Sequence, residues 1–541
     1  MRPFTRVLSC LLLGALLLST AMGCTNKETG KGKGSTTTTT ATTTKQDGQK
    51  DPDTGCKTHT PSASGTYCTA CNAVIKKEGG NYSDMIYFNC DSEMLTKAYQ
   101  IALADCRSNI KSFKGGVLAS SKDCIIAGAD YTTPWTRDGS INVWNAFALL
   151  DAEVSKNTLL SVLKRNGQEY QVDGQYWDAV IWSIGAYQYI LATGDQGFLK
   201  IAQNALENSL ERFEKEEFDA KDGLFRGAAV YGDGIAAYPD QYANGPNPGI
   251  EGWLEAPENK DLIVDTGRGI PMKALSTNCV YYQSYVIMAE LNKLMGKDAT
   301  DALAKAEALK KAINDNFWNE EKGSYDYLAY ECDYQEAIGI AFVLLFGIAD
   351  ERQSALVLQN TYVTEQGIAC VWPCFDRYLE LGGYGRHAGT IWPHAQGFWA
   401  RAAFEKGFVQ GFENELYTLA EKAVRDGQFY EIYHPDTGAV YGGLQLFGNA
   451  ISQWGSCAHQ TWSATAYLSC IYYEMLGLEL ENGAVSFKPY LPEGVNEATF
   501  SGLKIGNTTF DIVIVRGGDN PTEARYETSA EQNTRIILSV K

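Results

Sequence analysis

Two short stretches hold residue types that could bind or cut a sugar. Residues 130–142, "DYTTPWTRDGSIN", set Arg137 and Asp138 side by side, next to Trp135 and close to Tyr131. A guanidinium and a carboxylate together can grip vicinal hydroxyls, while an indole covers the apolar face of a sugar ring. An aspartate at a helix start is often only a cap, which accounts for Asp138 alone but not for the arginine and the rings beside it. Residues 427–443, "GQFYEIYHPDTGAVYGG", place one carboxylate, Glu431, between tyrosines and then break the chain with Pro435, Gly438 and two successive glycines. Taken alone, Glu431 reads either as a solvated loop acid or as the base of an active site, one among 65 Asp and Glu residues.

Other chemistries leave no trace. No His/Glu spacing suggests a metal centre, no phosphate-cradling glycine motif follows a strand, and Gly-x-Ser-x-Gly is missing. No cofactor is expected. His387 and His394 flank Trp392-Pro393; each suits either a contact to sugar hydroxyls or a satisfied place in the core. Cys56, Cys68, Cys71 and Cys90 cluster with one Cys-x-x-Cys. A zinc site would normally show a second such pair, so a local disulfide or free thiols is the reading, and no metal is expected.

The elements that must carry these residues are helical. Apolar spacing and breakers predict twelve helices, near 91–111, 139–151, 155–164, 174–192, 196–216, 276–294, 298–317, 334–347, 351–361, 390–405, 409–425 and 459–476. Two connections are far longer than the rest, about 217–275 and 426–458, and both are rich in Gly, Asp and aromatics. Long ordered connections in a compact domain are usually functional. The second holds Glu431; the first offers Asp222, Asp233, Asp240, Glu251, Glu255 and Asp261. After residue 482 the chain turns to β-branched and alternating runs such as "TTFDIVIV", which predict a small antiparallel sheet packed on the helical body.

Composition bounds the class. The 541 residues are 45% hydrophobic and 12% aromatic, with 11 Trp and 31 Tyr, a globular chain with many flat rings. A net charge of −19 without a basic block argues against nucleic acid as a partner. Residues 1–24 pair Arg2 and Arg6 with the apolar run "VLSCLLLGALLL" and then "STAMGC", the pattern of a bacterial export signal. Cys24 after Gly23 points to lipidation, with ordinary cleavage as the alternative because Met22 fits poorly before that glycine. The membrane would then be met only through an N-terminal anchor, followed by a Thr/Gly/Lys tether and a cysteine-containing segment over 25–80. A monomer is expected.

"YTTPWTRDG" resembles the Trp-Thr-Arg-Asp segment of glucoamylases, and twelve helices agree with the (α/α)6 toroid of the six-hairpin glycosidases. That superfamily also includes trehalases, processing α-glucosidases of glycoside hydrolase family 63 and mannosylglycerate hydrolases. "GQYWDAVIWSIGAYQYILATGD" (174–195) is similar to their second inner-helix segment, which implies Trp177 and Asp178 near the pocket. "GYGRHAGTIWPHAQGFWARAA" (383–403) resembles their late Gly-x-x-Trp-Pro segment, with His387 and Trp392 as binding candidates. "YEIYHPDTG" followed by "HQTWSATAYL" (459–468) looks like the pair of segments that carries their catalytic base, which implies that role for Glu431. "GLFRGAAVYGDGIAAYP" (223–239) resembles the segment preceding "LSTN" in several of them, which implies Asp233 as the acid, with Asp240 and Glu251 as rivals. The resemblance runs from about residue 82 to 478.

The expectation is therefore a mainly α chain: an (α/α)6 toroid over 82–478 with a small C-terminal antiparallel β-domain over 482–541. It would be an exported glycoside hydrolase that removes a terminal, α-linked glucose or mannose from an oligosaccharide or glycoside with inversion. Alternatives are an α-L-rhamnosidase or disaccharide phosphorylase on the same scaffold, or a non-catalytic glycan-binding lipoprotein.

Overall fold

The computed structural model describes residues 56, 58–76, 85–174, 178–230, 232–447, 450–529 and 532–540; the expected signal, Cys24, the tether up to residue 55 and Trp177 lie outside them. Twelve principal helices stand among the described residues. They are α1 (Glu93–Ser108), α2 (Thr136–Asn142, continued through a π-turn Val143–Phe147 to Ala148–Leu150), α3 (Ala152–Ser161), α4 (Asp178–Thr193), α5 (Gln196–Glu216) and α6 (Leu275–Leu294), then α7 (Thr300–Phe317), α8 (Ala337–Leu345), α9 (Glu351–Asn360), α10 (Pro393–Glu405), α11 (Val409–Asp426) and α12 (Thr461–Ser469, with a π-turn Cys470–Met475).

The even-numbered helices touch in the order α2, α4, α6, α8, α10, α12 and back to α2, which closes a ring. Their sequences show why they are inside. In α8, "AIGIAFVLL", everything from Ala337 to Leu344 is buried, and α10 is buried from Pro393 to Ala403. Helices apolar or small all round need protein on every side. The outer α11 instead keeps one apolar stripe, Phe412, Leu416, Leu419, Ala420 and Ala423, although Glu413, Glu415 and Lys422 are buried with it. Some polar groups inside the ring pair between helices: Ser140 Oγ donates to the Ile181 carbonyl at 2.6 Å, and the Ser183 and Ser284 hydroxyls meet at 3.0 Å. Gly185 lets α4 approach α2, since a Cβ there would lie 2.7 Å from the Ser140 carbonyl oxygen.

The first five inner helices each pass to the following outer helix by a short link, while α12 leads into the tail, and aspartates cap the outer helix at three of these corners. Asp151 accepts from Val154 N, Asp195 from Phe198 N, and Asp350 forms a capping box with Gln353. The return links, 109–135, 162–177, 217–274, 318–336, 361–392 and 427–460, are all long. Short links make neighbours antiparallel, so the six return links emerge at one end of the ring, where the inner helices also point their N-termini. The sequence suggests two functional long connections; 361–392 is a third that matters, because it carries Arg386, His387 and Trp392 to the mouth of the ring.

The tail forms two sheets. β4 (Leu478–Glu481), β5 (Ala484–Phe487) and β8 (Ala524–Glu527) pair antiparallel. The other sheet runs β1 (Tyr87–Cys90), β6 (Glu497–Ile505), β7 (Thr508–Arg516), β9 (Gln532–Val540). Two features depart from the expected antiparallel tail: β1 comes from ahead of α1, and β9 runs parallel to β7. The chain between β7 and β9 is long enough for the crossover that parallel pairing needs, and it spends part of itself as β8. Phe88 of β1 packs on both Tyr99 of α1 and Phe500 of β6, so sheet and helices share a core. No helix of the described residues is long and apolar enough to cross a membrane.

Candidate active site

Glu431 sits on a braced strand-like piece of the last return link. Tyr433 exchanges backbone hydrogen bonds with Ile391 at 2.9 and 3.0 Å and bridges to Val440, while Glu431 N donates to the Cys457 carbonyl at 2.9 Å. Pro435 and Gly438 make the tight turn between: Gly438 has φ +66° and donates to the His434 carbonyl. From below, Asp105 of α1 accepts from Phe429 N at 2.7 Å and contacts His459 Nδ1 at 2.6 Å. The carboxylate side chain of Glu431 is only 3% exposed. Arg386 Nη2 donates to its Oε2 at 2.6 Å, and the Tyr131 hydroxyl donates to Oε1 at 3.4 Å. Burial, and then the charges of Glu431 and Asp138, push the Tyr131 hydroxyl far up, so it stays a donor.

Arg386 is the hub of the mouth. Besides Glu431 it donates to the carbonyls of Gly442 and Gly455, both at 3.1 Å, and its backbone N donates to the Leu444 carbonyl at 2.9 Å. Its guanidinium lies over the rings of Trp392 and Trp454 at 5.6 and 5.5 Å. Two glycines make this approach feasible: a Cβ on Gly443 would lie 2.4 Å from Arg386 Cα, and one on Gly442 2.0 Å from the Trp454 carbonyl oxygen.

Asp233 comes from the first long connection. Its carbonyl accepts from Ile250 N at 2.7 Å, Ile235 N donates to the Pro248 carbonyl at 2.9 Å, and Gly234 bridges Gly249. The buried Tyr238 hydroxyl accepts from Ala229 N at 3.0 Å and donates to the Gly232 carbonyl, which shapes the turn leading into Asp233. Gln445 of the hairpin β2 (Leu444–Phe447) and β3 (Ala450–Gln453) donates to the Pro248 carbonyl at 3.3 Å and so stitches this connection to that of Glu431.

Both carboxyls line one cavity of about 250 Å³, together with Tyr131, Trp135, Arg137, Asp138, Arg386, His387, Trp392, Trp454 and Trp462. The cap position of α2 is Trp135, and Arg137 and Asp138 fall in its first turn, buried. Arg137 Nη2 lies 3.5 Å from Asp138 Oδ2, and its guanidinium sits over the Trp462 ring at 5.7 Å. His387 stacks on Trp392 at 4.4 Å and His394 on Trp462 at 4.1 Å, so the two histidines stiffen the aromatic wall. Burial, then Arg137, holds His394 neutral. Trp135, 40% exposed, stands at the rim.

Trp135, Arg137, Asp138, Asp233, His387, Trp392 and Glu431 are thus brought together from four return links and the first turn of α2. Asp178 is the first residue of α4, and Trp177 lies outside the described residues. The rivals of Asp233 are elsewhere. Asp240 is 84% exposed and pairs with Arg377 at 2.7 Å, Glu251 pairs with Arg268, Asp222 is held by Lys273 at 2.5 Å, and Glu255 and Asp261 are exposed. Arg386, Trp454, Trp462 and Gln445 were missed. Arg386 stands beside the quoted His387, and an arginine in a Gly/aromatic loop ahead of Trp-Pro was the available signal. Among the described residues, no group of pocket side chains converges as metal ligands.

A family model described as the mannosylglycerate hydrolase MGH1-like glycoside hydrolase domain matches residues 179–463. A mannosylglycerate hydrolase of Rubrobacter radiotolerans is 26% identical over 172 residues, 29% of this chain; the match spans 37% of that curated relative's length. Among solved structures, a sialidase superposes with a TM-score of 0.58 at 14% identity, over 78% of this chain and 37% of its own. An α-L-rhamnosidase of Dictyoglumus thermophilum gives a TM-score of 0.50 at 13% identity, over 78% of this chain and 42% of its own. At such identities the two structures bear on the fold alone, a six-hairpin helical toroid. The family match covers more than half of the chain, from α4 into α12 and across the connections of both Asp233 and Glu431, and the chain belongs to the mannosylglycerate hydrolase MGH1-like glycoside hydrolase family.

Proposed function

We propose that this chain removes a terminal, α-linked glucose or mannose by single displacement, with Asp233 as general acid and Glu431 as general base. The observation that carries this reading is that two carboxyls from connections far apart in sequence line one pocket. Asp233 gives its proton to the glycosidic oxygen as the bond from the anomeric carbon breaks. Water attacks that carbon from the opposite face, and Glu431 takes its proton. Arg386 and Tyr131 hold the Glu431 carboxylate in one orientation, and the long Tyr131 contact leaves Oε1 open to a water. Arg137 and Asp138 grip hydroxyls of the terminal sugar, Trp392 and Trp462 form its wall, and Trp135 meets the next residue at the rim. A pocket floored by inner-helix N-termini favours cutting at a chain end. We further propose that the enzyme is exported, acts as a monomer and is anchored through lipidated Cys24, on the strength of the N-terminal sequence pattern.

Incubation with α-glucosides, α-mannosides and α-rhamnosides, with and without phosphate, tests the reading. Free glucose or mannose released without phosphate supports it. A sugar phosphate would make the chain a phosphorylase, rhamnose a rhamnosidase, and binding without turnover, unchanged in Glu431→Gln, a glycan-binding module.

A further inference from the structure

Residues 58–76 fold into a small unit of their own ahead of β1. Thr69 N donates to the Thr60 carbonyl, Cys68 N to the Ala73 carbonyl and Ile75 N to the Thr66 carbonyl, at 2.7–2.8 Å, and Pro61 and Tyr67 bridge Cys68 and Val74. Its apolar content is slight: Cys68 and Ala73 are its buried hydrophobic residues. So short a segment cannot hold its shape by burial and needs a covalent or metal staple.

The donors for a staple are in place. The ligand atoms of Cys56, His59, Cys68 and Cys71 all lie within 4.8 Å of one another. Tetrahedral zinc, with Zn–S near 2.3 Å and Zn–N near 2.0 Å, sets its ligand atoms ~3.5–4 Å apart, so slight closure brings these four onto one ion. The spacing is paired: Cys-x-x-His at 56–59 and Cys-x-x-Cys at 68–71. Cys71 Sγ is 3.5 Å from His59 Nδ1, and Thr60 N donates to Cys68 Sγ at 3.3 Å, the kind of amide contact that steadies a thiolate. Asn72, with φ +57°, bends the chain so that its N–H reaches the Cys68 carbonyl at 2.8 Å and Cys71 turns back to the cluster.

We propose that Cys56, His59, Cys68 and Cys71 bind one structural zinc ion that folds this segment and fastens it to the β-sheet. This replaces the sequence expectation of a local disulfide or free thiols without metal. The second ligand pair was hidden because its partner is a histidine, and Cys90, grouped with the others by sequence, turns instead to the Ser92 carbonyl and Thr96. A disulfide would use two of the three thiols and leave the third and His59 facing it for no purpose, whereas three thiolates and a neutral imidazole make a complete zinc shell. The fastening point is Glu497 of β6, which accepts from the Ser62 hydroxyl at 3.1 Å and from Ser64. Binding displaces three thiol protons, so occupancy falls as pH drops.

The test uses the full chain, purified anaerobically with zinc present and then freed of loose metal. Expected are one zinc per chain, released when a mercurial reagent blocks the thiols, and a cobalt-substituted form with the visible bands of a tetrahedral thiolate site. Cys68→Ser and His59→Ala should each lose the ion and expose the segment to protease, while Cys332→Ser, outside the cluster, keeps it. Zinc content unchanged in both ligand variants would mean an adventitious ion only and overturn the proposal. So would a disulfide among Cys56, Cys68 and Cys71 in that anaerobic preparation, or a chain that retains no metal.

Discussion

Glu431 is nearly buried with donors on both oxygens, so only an isosteric replacement, checked for folding, can test its chemistry. Glu431→Gln keeps the shape and should lower turnover about 10³-fold on every substrate while the circular dichroism spectrum stays unchanged. Asp233→Asn should cost as much on natural glycosides but far less on nitrophenyl glycosides, whose leaving group departs without a proton. Equal losses of Asp233→Asn on both substrate types would remove Asp233 from the acid's role. A third acid reports on stability. Glu336 is fully buried, accepts from Ser276 N at 3.1 Å, and is pushed by burial to a pKa of about 8, from an ordinary 4.5. The folded chain therefore keeps a proton that the unfolded chain releases. The stability this proton confers is complete below about pH 4.5 and is lost as pH rises toward 8, a swing of a few kcal/mol. Glu336→Gln, which does not titrate, should gain melting temperature relative to the parent between pH 5 and 8 and show no such trend below 4.5; a flat difference would contradict it. At this scale the sequence could single out Glu431 and Asp233 because local pattern accompanies both. For Arg386 the sequence offers only a weak local signal, its place in a Gly/aromatic loop ahead of Trp-Pro, since its role comes from a contact 45 positions away across two connections.

The twelve helices were legible because each carries apolar residues at helical spacing between breakers, from the continuous run of α8 to the single stripe of α11. Their ends were less so: the helix expected over 91–111 spans Glu93–Ser108, since Ser92 caps it and Arg107 closes its last turn. Which helix meets which, and how closely, rests on small residues that carry no periodic signal. Gly185 shows the consequence. Alanine there improves helix propensity by up to ~1 kcal/mol, yet its Cβ would fall 2.7 Å from the Ser140 carbonyl and hydroxyl oxygens. Gly185→Ala should therefore destabilise the chain by about 1–3 kcal/mol in denaturant unfolding, whereas a gain in stability would show that α2 and α4 are not so tightly set. Strand pairing was the least legible feature. A β-branched run announces a strand without naming its partner, so neither the joining of β1 to β6 nor the parallel β7–β9 pair could be read.

Across the whole molecule, alternating inner and outer helices gather every long connection at one end of the ring, which lets residues from Tyr131 to Trp462 share a pocket. The four-stranded sheet fastens the outer helix α1 through β1, and the 58–76 segment reaches the same sheet through Glu497. In the reaction proposed for this arrangement, the two carboxyls would stand on opposite sides of one bond, with a water between base and sugar. Proton NMR of the first product formed from a cleaved α-glucoside or α-mannoside, recorded before mutarotation, tests that claim most directly. Single displacement requires that the β-anomer appear first and relax to the equilibrium mixture; an α-anomer appearing first would mean a covalent intermediate and would contradict the assignment of Glu431 as the base that activates water.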